Sequence, residues 1–293
     1  MPCKTAAVPR STAVLVTGCS SGIGRATAHR LARGGWTVYA TARRLDSIDD
    51  LAGAGCRLLE LDVTDEESRR RAVAEIEERE GGAVGVLVNN AGYSLSGAIE
   101  TVPADAARRQ FETNVFGPAR LCQLVLPGMR RQRWGRIVNV GSMGGKLTFP
   151  GGGWYHASKY AIEALSDALR FEVQGFGVDV VLVQPGLIRT GFAEAATGSI
   201  PIGEEPYGAF NAAVGAATAG AYEGGFGRSL GGGPETVAKA IERAISSRRP
   251  RTRYRVTPSA ALFLTVRRLL PDRSWDALVG RTFPQPKPPQ PNP

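Results

Sequence analysis

Short β-branched runs alternate along the chain with segments whose apolar residues recur every three to four positions. Residues 13–17, 37–42, 56–61, 84–88, 136–140 and 178–183 read as strands. Residues 23–33, 66–79, about 103–131 and 155–174 read as the amphipathic helices between them. The 84–88 strand is continuously apolar apart from Gly85. Continuous apolar strands joined by helices imply a parallel sheet covered on both faces. The expected fold is therefore α/β, a doubly wound, Rossmann-like sheet in a single domain. Pro103 suits the first position of the long helix, and Gly117-Pro118 should bend it.

Beyond Thr190 the pattern loosens. Residues 193–233 are rich in Gly and Ala with few large apolar side chains, which reads as a mobile flap holding short helices. Pro234 then opens a clear helix, with Val237, Ala240, Ile241, Ala244 and Ile245 at helical spacing. A last strand at 253–257, helices at 259–270 and 274–279, and a proline-rich tail follow. The expected organisation is an extension over 1–12, one domain over 13–283 with a substrate loop at about 191–233, and a tail over 284–293.

Composition narrows the classes without changing the fold. A chain of 293 residues, 43% of them apolar, can bury a full core. Cys3, Cys19, Cys56 and Cys122 form no Cys-x-x-Cys pair, and His29 and His156 are far apart, so no metal or disulfide framework is readable. No apolar run suits a signal peptide or a membrane span, and a cytoplasmic location is expected. The net charge of +9 is concentrated late, where nine arginines between Arg248 and Arg281 face only Asp272 and Asp276. Without interleaved aromatics or a nucleic-acid motif this reads as a solvated basic face, with an acidic partner, lipid surface or anionic substrate as the alternative.

The first strand runs into Thr17-Gly18-Cys19-Ser20-Ser21-Gly22-Ile23-Gly24, inside which a helix begins. Glycines let backbone turn sharply and approach a diphosphate, and a helix N-terminus offers unpaired N–H groups to it. The second strand ends at Arg43-Arg44, with no acidic residue before Asp46. Arginine there offers a bidentate cation to a 2′-phosphate, so NADP(H) is expected, with NAD(H) as the lesser alternative. Asp62-Val63 is placed to meet the adenine, or Asp62 caps a turn, while Asp65 suits a helix cap. Asn89-Asn90-Ala91-Gly92 closes the fourth strand beside the same crevice, where its amides could equally tie strand ends together.

Tyr155 and Lys159 stand at i and i+4 and so share a helix face. A nearby cation makes a phenol a competent proton donor and acceptor near neutral pH. Ser142, thirteen residues earlier, ends a strand and could donate to a substrate oxygen. Asn114 is a poor helix former inside a helix, which implies a polar task or a buried amide satisfying a kinked backbone.

Taken in order, these motifs resemble the short-chain dehydrogenase/reductase family, in its shorter branch, over about residues 11–192. The resemblance implies that Tyr155 is the general acid/base and that Ser142 polarises the carbonyl. It further implies that Lys159 binds the nicotinamide ribose and lowers the tyrosine's pKa, and that Asn114 holds a relay water. Pro185-Gly186-Leu187-Ile188-Arg189-Thr190 is similar to the family's nicotinamide-contacting segment, with Ile188 and Thr190 at the contacts. Ser21 stands where NADP-preferring members often carry a second basic residue, so the cofactor preference rests on Arg43, with Arg44 assisting.

Past residue 234 the chain resembles the retinol and 17β-hydroxysteroid dehydrogenase branch, which implies a lipophilic alcohol or carbonyl substrate. The 261–264 stretch reads as a core or mouth-lining helix, or else as a peripheral membrane contact with Arg267 and Arg268 at the headgroups. Homo-oligomers are expected from the resemblance. The competing function class, an inactive NADP(H)-binding regulatory or scaffold protein, is disfavoured because all four catalytic positions hold competent residues.

Overall fold

In the computed structural model, which describes residues 10–201, 206–224 and 229–286, seven strands form one sheet. They are β1 (Ala13–Val16), β2 (Thr37–Ala42), β3 (Arg57–Glu60), β4 (Val86–Asn89), β5 (Gly135–Val140), β6 (Val178–Gln184) and β7 (Arg253–Arg255). Their order is β3-β2-β1-β4-β5-β6-β7, and every pairing is parallel. The strand order reverses between β1 and β4, which opens a crevice at the strands' carboxyl ends.

Strand periodicity divides the core into two faces. Val14 and Val16 point to one side, with Val38, Val88, Val138 and Val181, beneath helix α1 (Gly22–Arg33) and the Pro234–Ser246 helix. Ala13 and Leu15 point to the other, with Tyr39, Leu87 and Ile137. That face is covered by Ile76 of the Glu66–Arg79 helix and by Leu121, Val125 and Met129 of the Gly117–Arg131 helix. A third cluster joins Met143, Leu147 and Leu187 to Ala260, Leu264 and Trp275 of the last two helices, Pro258–Leu269 and Asp272–Val279.

Three expectations need adjustment. The helix expected over 103–131 is α-helical over Ala104–Phe111, becomes a π-helix over Glu112–Phe116 and resumes at Gly117, so the irregularity lies just before Gly117-Pro118 and contains Asn114. The 193–233 region holds a Phe192–Gly198 helix and a sixteen-residue helix, Gly208–Glu223, longer than the short helices expected. The latter is built largely of small residues, which hid its periodicity. The fourth strand starts at Val86 rather than 84. The extension up to residue 9 and the tail from 287 lie outside the described residues.

Candidate active site

Each motif hangs from the carboxyl end of a strand: 17–24 after β1, Arg43 after β2, Asp62 after β3, 90–92 after β4, Ser142 after β5 and 185–190 after β6. Together they line a cavity of about 1490 Å³.

At one end Gly18, Ser20, Ser21, Gly22 and Ile23 form its wall, with Gly18 at φ +71 and Gly22 at φ +55. A side chain at Gly18 would press within 2.9 Å of Ala91 Cα, and one at Gly24 would collide with the Gly18 carbonyl. Gly24 itself does not line the cavity; its contribution is close packing of the turn. Ser21 precedes the helix without a side-chain cap, and the first turn carries no acidic residue. The orphan N–H groups of this helix start are therefore available to an anion. Thr17 Oγ1 accepts from the backbone N–H groups of Asn90 (2.9 Å) and Ala91 (3.0 Å), and Asn90 Nδ2 donates back to the Thr17 and Gly18 carbonyls.

Arg43 lines this end and is exposed, with no ion pair among the described residues. Arg44 does not reach the cavity; its guanidinium lies 3.3 Å from Asp46, its sequence neighbour of opposite charge. Asp62 and Val63 both line the cavity, while Asp62 Oδ1 also accepts from Thr64 N (2.9 Å) and Oγ1 (2.7 Å), so the turn role is present as well. Asp65 caps its helix through Ser68 N. Asn89 lies beneath the cavity and donates to Asn139 Oδ1 at 2.9 Å, tying β4 to β5. Ala91, Gly92, Pro185, Gly186, Ile188 and Thr190 line the cavity.

Ser142, Tyr155 and Lys159 meet at the centre. Ser142 Oγ accepts from Gly144 N at 3.0 Å and directs its own proton toward the Tyr155 oxygen. Burial pushes the Tyr155 phenol up to about 12, a rise that the Ser142 hydrogen bond partly offsets. Lys159 Nζ donates to Val140 O at 3.0 Å and stands 5.8 Å from the Tyr155 ring centroid. Burial alone pushes the ammonium down to about 8. Asn114 lies behind this group. Its Oδ1 accepts from Tyr93 N (3.1 Å) and its Nδ2 donates to Tyr93 O (2.9 Å) and Ser158 Oγ (3.1 Å), so the amide satisfies the strand end rather than its own helix.

Sequence reasoning missed His156. Its Nδ1 lies 3.0 Å from Gly144 O and its Nε2 accepts from Phe149 N at 3.2 Å, which assigns a neutral ring with the proton on Nδ1. Burial lowers its pKa in keeping with that state. Phe149, Phe192, Val214, Phe263, Trp275 and Phe283 make the other half of the cavity apolar, from segments far apart in sequence. Phe192 and Val214 lie in the expected substrate loop and Phe263 in the 261–264 stretch read as core or mouth-lining; Phe149, Trp275 and Phe283 were missed. The thiols of Cys19, Cys56 and Cys122 are buried and pushed up to about 12, 11 and 12, which removes them as nucleophiles. No helix among the described residues is long and apolar enough to cross a membrane.

The short chain dehydrogenase family model matches residues 12–199, and the chain belongs to that family of oxidoreductases. It is 42% identical to 3-ketodihydrosphingosine reductase of Bacteroides thetaiotaomicron, over 62% of this chain and 65% of that protein, so the match spans just under two thirds of that relative's length. It is 33% identical to the NADPH-dependent 3-dehydrocapnine reductase of Ornithobacterium rhinotracheale, over 90% and 94% of the two chains. Similarity to estradiol 17-beta-dehydrogenase 1 of Rattus norvegicus, 42% identical over 64% of this chain and 57% of that one, agrees with the branch expected from the sequence. Among solved structures, a short-chain dehydrogenase from Streptomyces avermitilis superimposes with a TM-score of 0.77 at 37% identity, covering 92% of this chain and 96% of that one.

Proposed function

We propose that this protein is an NADP(H)-dependent oxidoreductase that interconverts a lipophilic alcohol and its ketone or aldehyde. The observation that carries the reading is the meeting of Ser142, Tyr155 and Lys159 where the glycine-turn end of the cavity joins the apolar end.

The residues present fit a dinucleotide. Uncapped helix N–H groups and the positive-φ glycines suit its diphosphate, Arg43 the 2′-phosphate, and Asp62 and Val63 the adenosine. Lys159 makes one hydrogen bond among the described residues, which leaves two of its three donors for ribose hydroxyls. Ile188 and Thr190 suit the carboxamide. When bound, the nicotinamide supplies or accepts the hydride. With substrate bound, Ser142 turns to the substrate oxygen the proton it otherwise directs at Tyr155, and Tyr155 gives or takes the proton at that oxygen. Charged Lys159 favours the phenolate and so opposes the rise that burial imposes on the phenol. Asn114 is assigned to the relay that returns the proton. The NADPH-dependent relative supports the cofactor, and the apolar lining supports the substrate class.

The test is an NADPH-oxidation screen over steroid, retinoid, aliphatic and polyketide-like carbonyls, repeated with NADH. Turnover of at least one class with NADPH preferred is expected. A strong NADH preference would overturn the role of Arg43, and cofactor binding without turnover of any carbonyl would favour a regulatory protein.

A further inference from the structure

The apolar end of the cavity contains a polar exception. Tyr222, near the end of the Gly208–Glu223 helix, lines it, and its hydroxyl makes no hydrogen bond among the described residues. Thr218 lies one helical turn earlier, lines the same cavity and likewise has no hydrogen-bond partner there. Phe192 stands between Tyr222 and the reacting centre. Its ring lies 5.4 Å from that of Tyr155 and 6.3 Å from that of Tyr222, centroid to centroid. The Tyr155 phenol is close enough to oppose ionisation of Tyr222, and burial opposes it more strongly, so Tyr222 stays a neutral donor and acceptor.

Both residues are partly buried and face the cavity; a substrate that fills this end removes their hydroxyls from water, which is unfavourable unless one of its own groups satisfies them. Its partner must suit the surroundings. The carboxylates lining the cavity among the described residues are Asp62, after β3, and Glu112, in the π-helix. Among the described residues none lines it from the helices around Tyr222. An ammonium group there would have no counter-ion among those residues, whereas a neutral oxygen needs none.

We propose that Tyr222, assisted by Thr218, is a second polar anchor that hydrogen-bonds a neutral oxygen of the substrate other than the one undergoing redox chemistry. The substrate class is then an apolar ketone or alcohol carrying a further hydroxyl or carbonyl group, rather than a hydrocarbon ketone. This rests on the reading that the substrate's reacting oxygen lies against Tyr155.

The experiment compares kcat/KM for 2-undecanone with that for its monohydroxylated derivatives, the hydroxyl placed at successive positions along the chain. The proposal predicts that the unmodified protein favours at least one hydroxyketone by about tenfold or more. In Tyr222→Phe that ratio collapses toward one, chiefly through KM, and Thr218→Val reduces it less. Tyr222→Phe removes a hydroxyl that holds no hydrogen bond among the described residues and keeps the ring, and NADPH binding followed by nicotinamide fluorescence checks its fold. The proposal is overturned if no hydroxyketone is favoured, or if the ratio survives in both variants. If the unmodified protein reduces neither kind of ketone, the redox reading itself fails and the anchor falls with it. Turnover of both kinds without discrimination removes the anchor alone.

Discussion

Lys159 Nζ lies 5.8 Å from the ring centroid of Tyr155, held there by a single hydrogen bond to Val140 O, with its side chain almost wholly buried. An ammonium in that position is costly to the cofactor-free fold. A fall from the ordinary 10.5 to about 8 corresponds to roughly 3 kcal/mol. Between those values the unfolded chain binds a proton that the folded chain does not, so stability rises with pH across this window and the penalty is fully present below it. Lys159→Met should therefore lose activity yet be more stable at pH 7, by about 1–3 kcal/mol. Its advantage should shrink as pH rises from about 8 toward 10.5. Urea unfolding of both proteins across that range checks the prediction.

Arg43 faces the cavity without a partner, whereas Arg44 pairs with Asp46. Arg43→Ala should raise the KM for NADPH by about tenfold or more and leave that for NADH little changed, because only the former loses a charge-assisted contact. Arg44→Ala should move neither. Steady-state kinetics with both cofactors decide the matter.

His156 joins Gly144, and through it Ser142, to Phe149 on the apolar wall. His156→Phe keeps an aromatic ring but leaves Gly144 O and Phe149 N unpaired. We expect a loss of about 1–3 kcal/mol in stability and a lower kcat/KM. His156→Gln can both donate and accept, and should recover part of each. Equal losses in the two variants would show that ring packing, not hydrogen bonding, is what matters.

At Gly24 an added methyl group would meet Asn90 Nδ2 at 2.5 Å as well as the Gly18 carbonyl. Gly24→Ala should weaken NADPH binding by at least about tenfold and lower the melting temperature, since overpacking costs about 1–3 kcal/mol and distorts the turn. Fluorescence titration alongside a thermal melt measures both.

The parallel sheet was legible because its central strands are buried on both faces and contain continuous apolar stretches, as at 86–88 and 180–183. The glycine turn and the Tyr155–Lys159 pair were legible because their members are close in sequence. Phe149 and Trp275 were not, since only tertiary packing brings those segments around one cavity. The π-helix around Asn114 was legible only as an irregularity, through an amide out of place in a helix and the bend expected at Gly117-Pro118 just after it, and not as a π-helix. Arg44 shows the opposite failure: adjacency to Arg43 suggested a shared task, but the side chain found Asp46 instead.

Tyr155 is proposed to move the proton that accompanies hydride transfer. The most direct test is Tyr155→Phe, assayed for NADPH binding by fluorescence and for turnover of the best carbonyl substrate. Binding should persist and turnover should fall by at least about a hundredfold. Reduction at the unmodified protein's rate would contradict the mechanism.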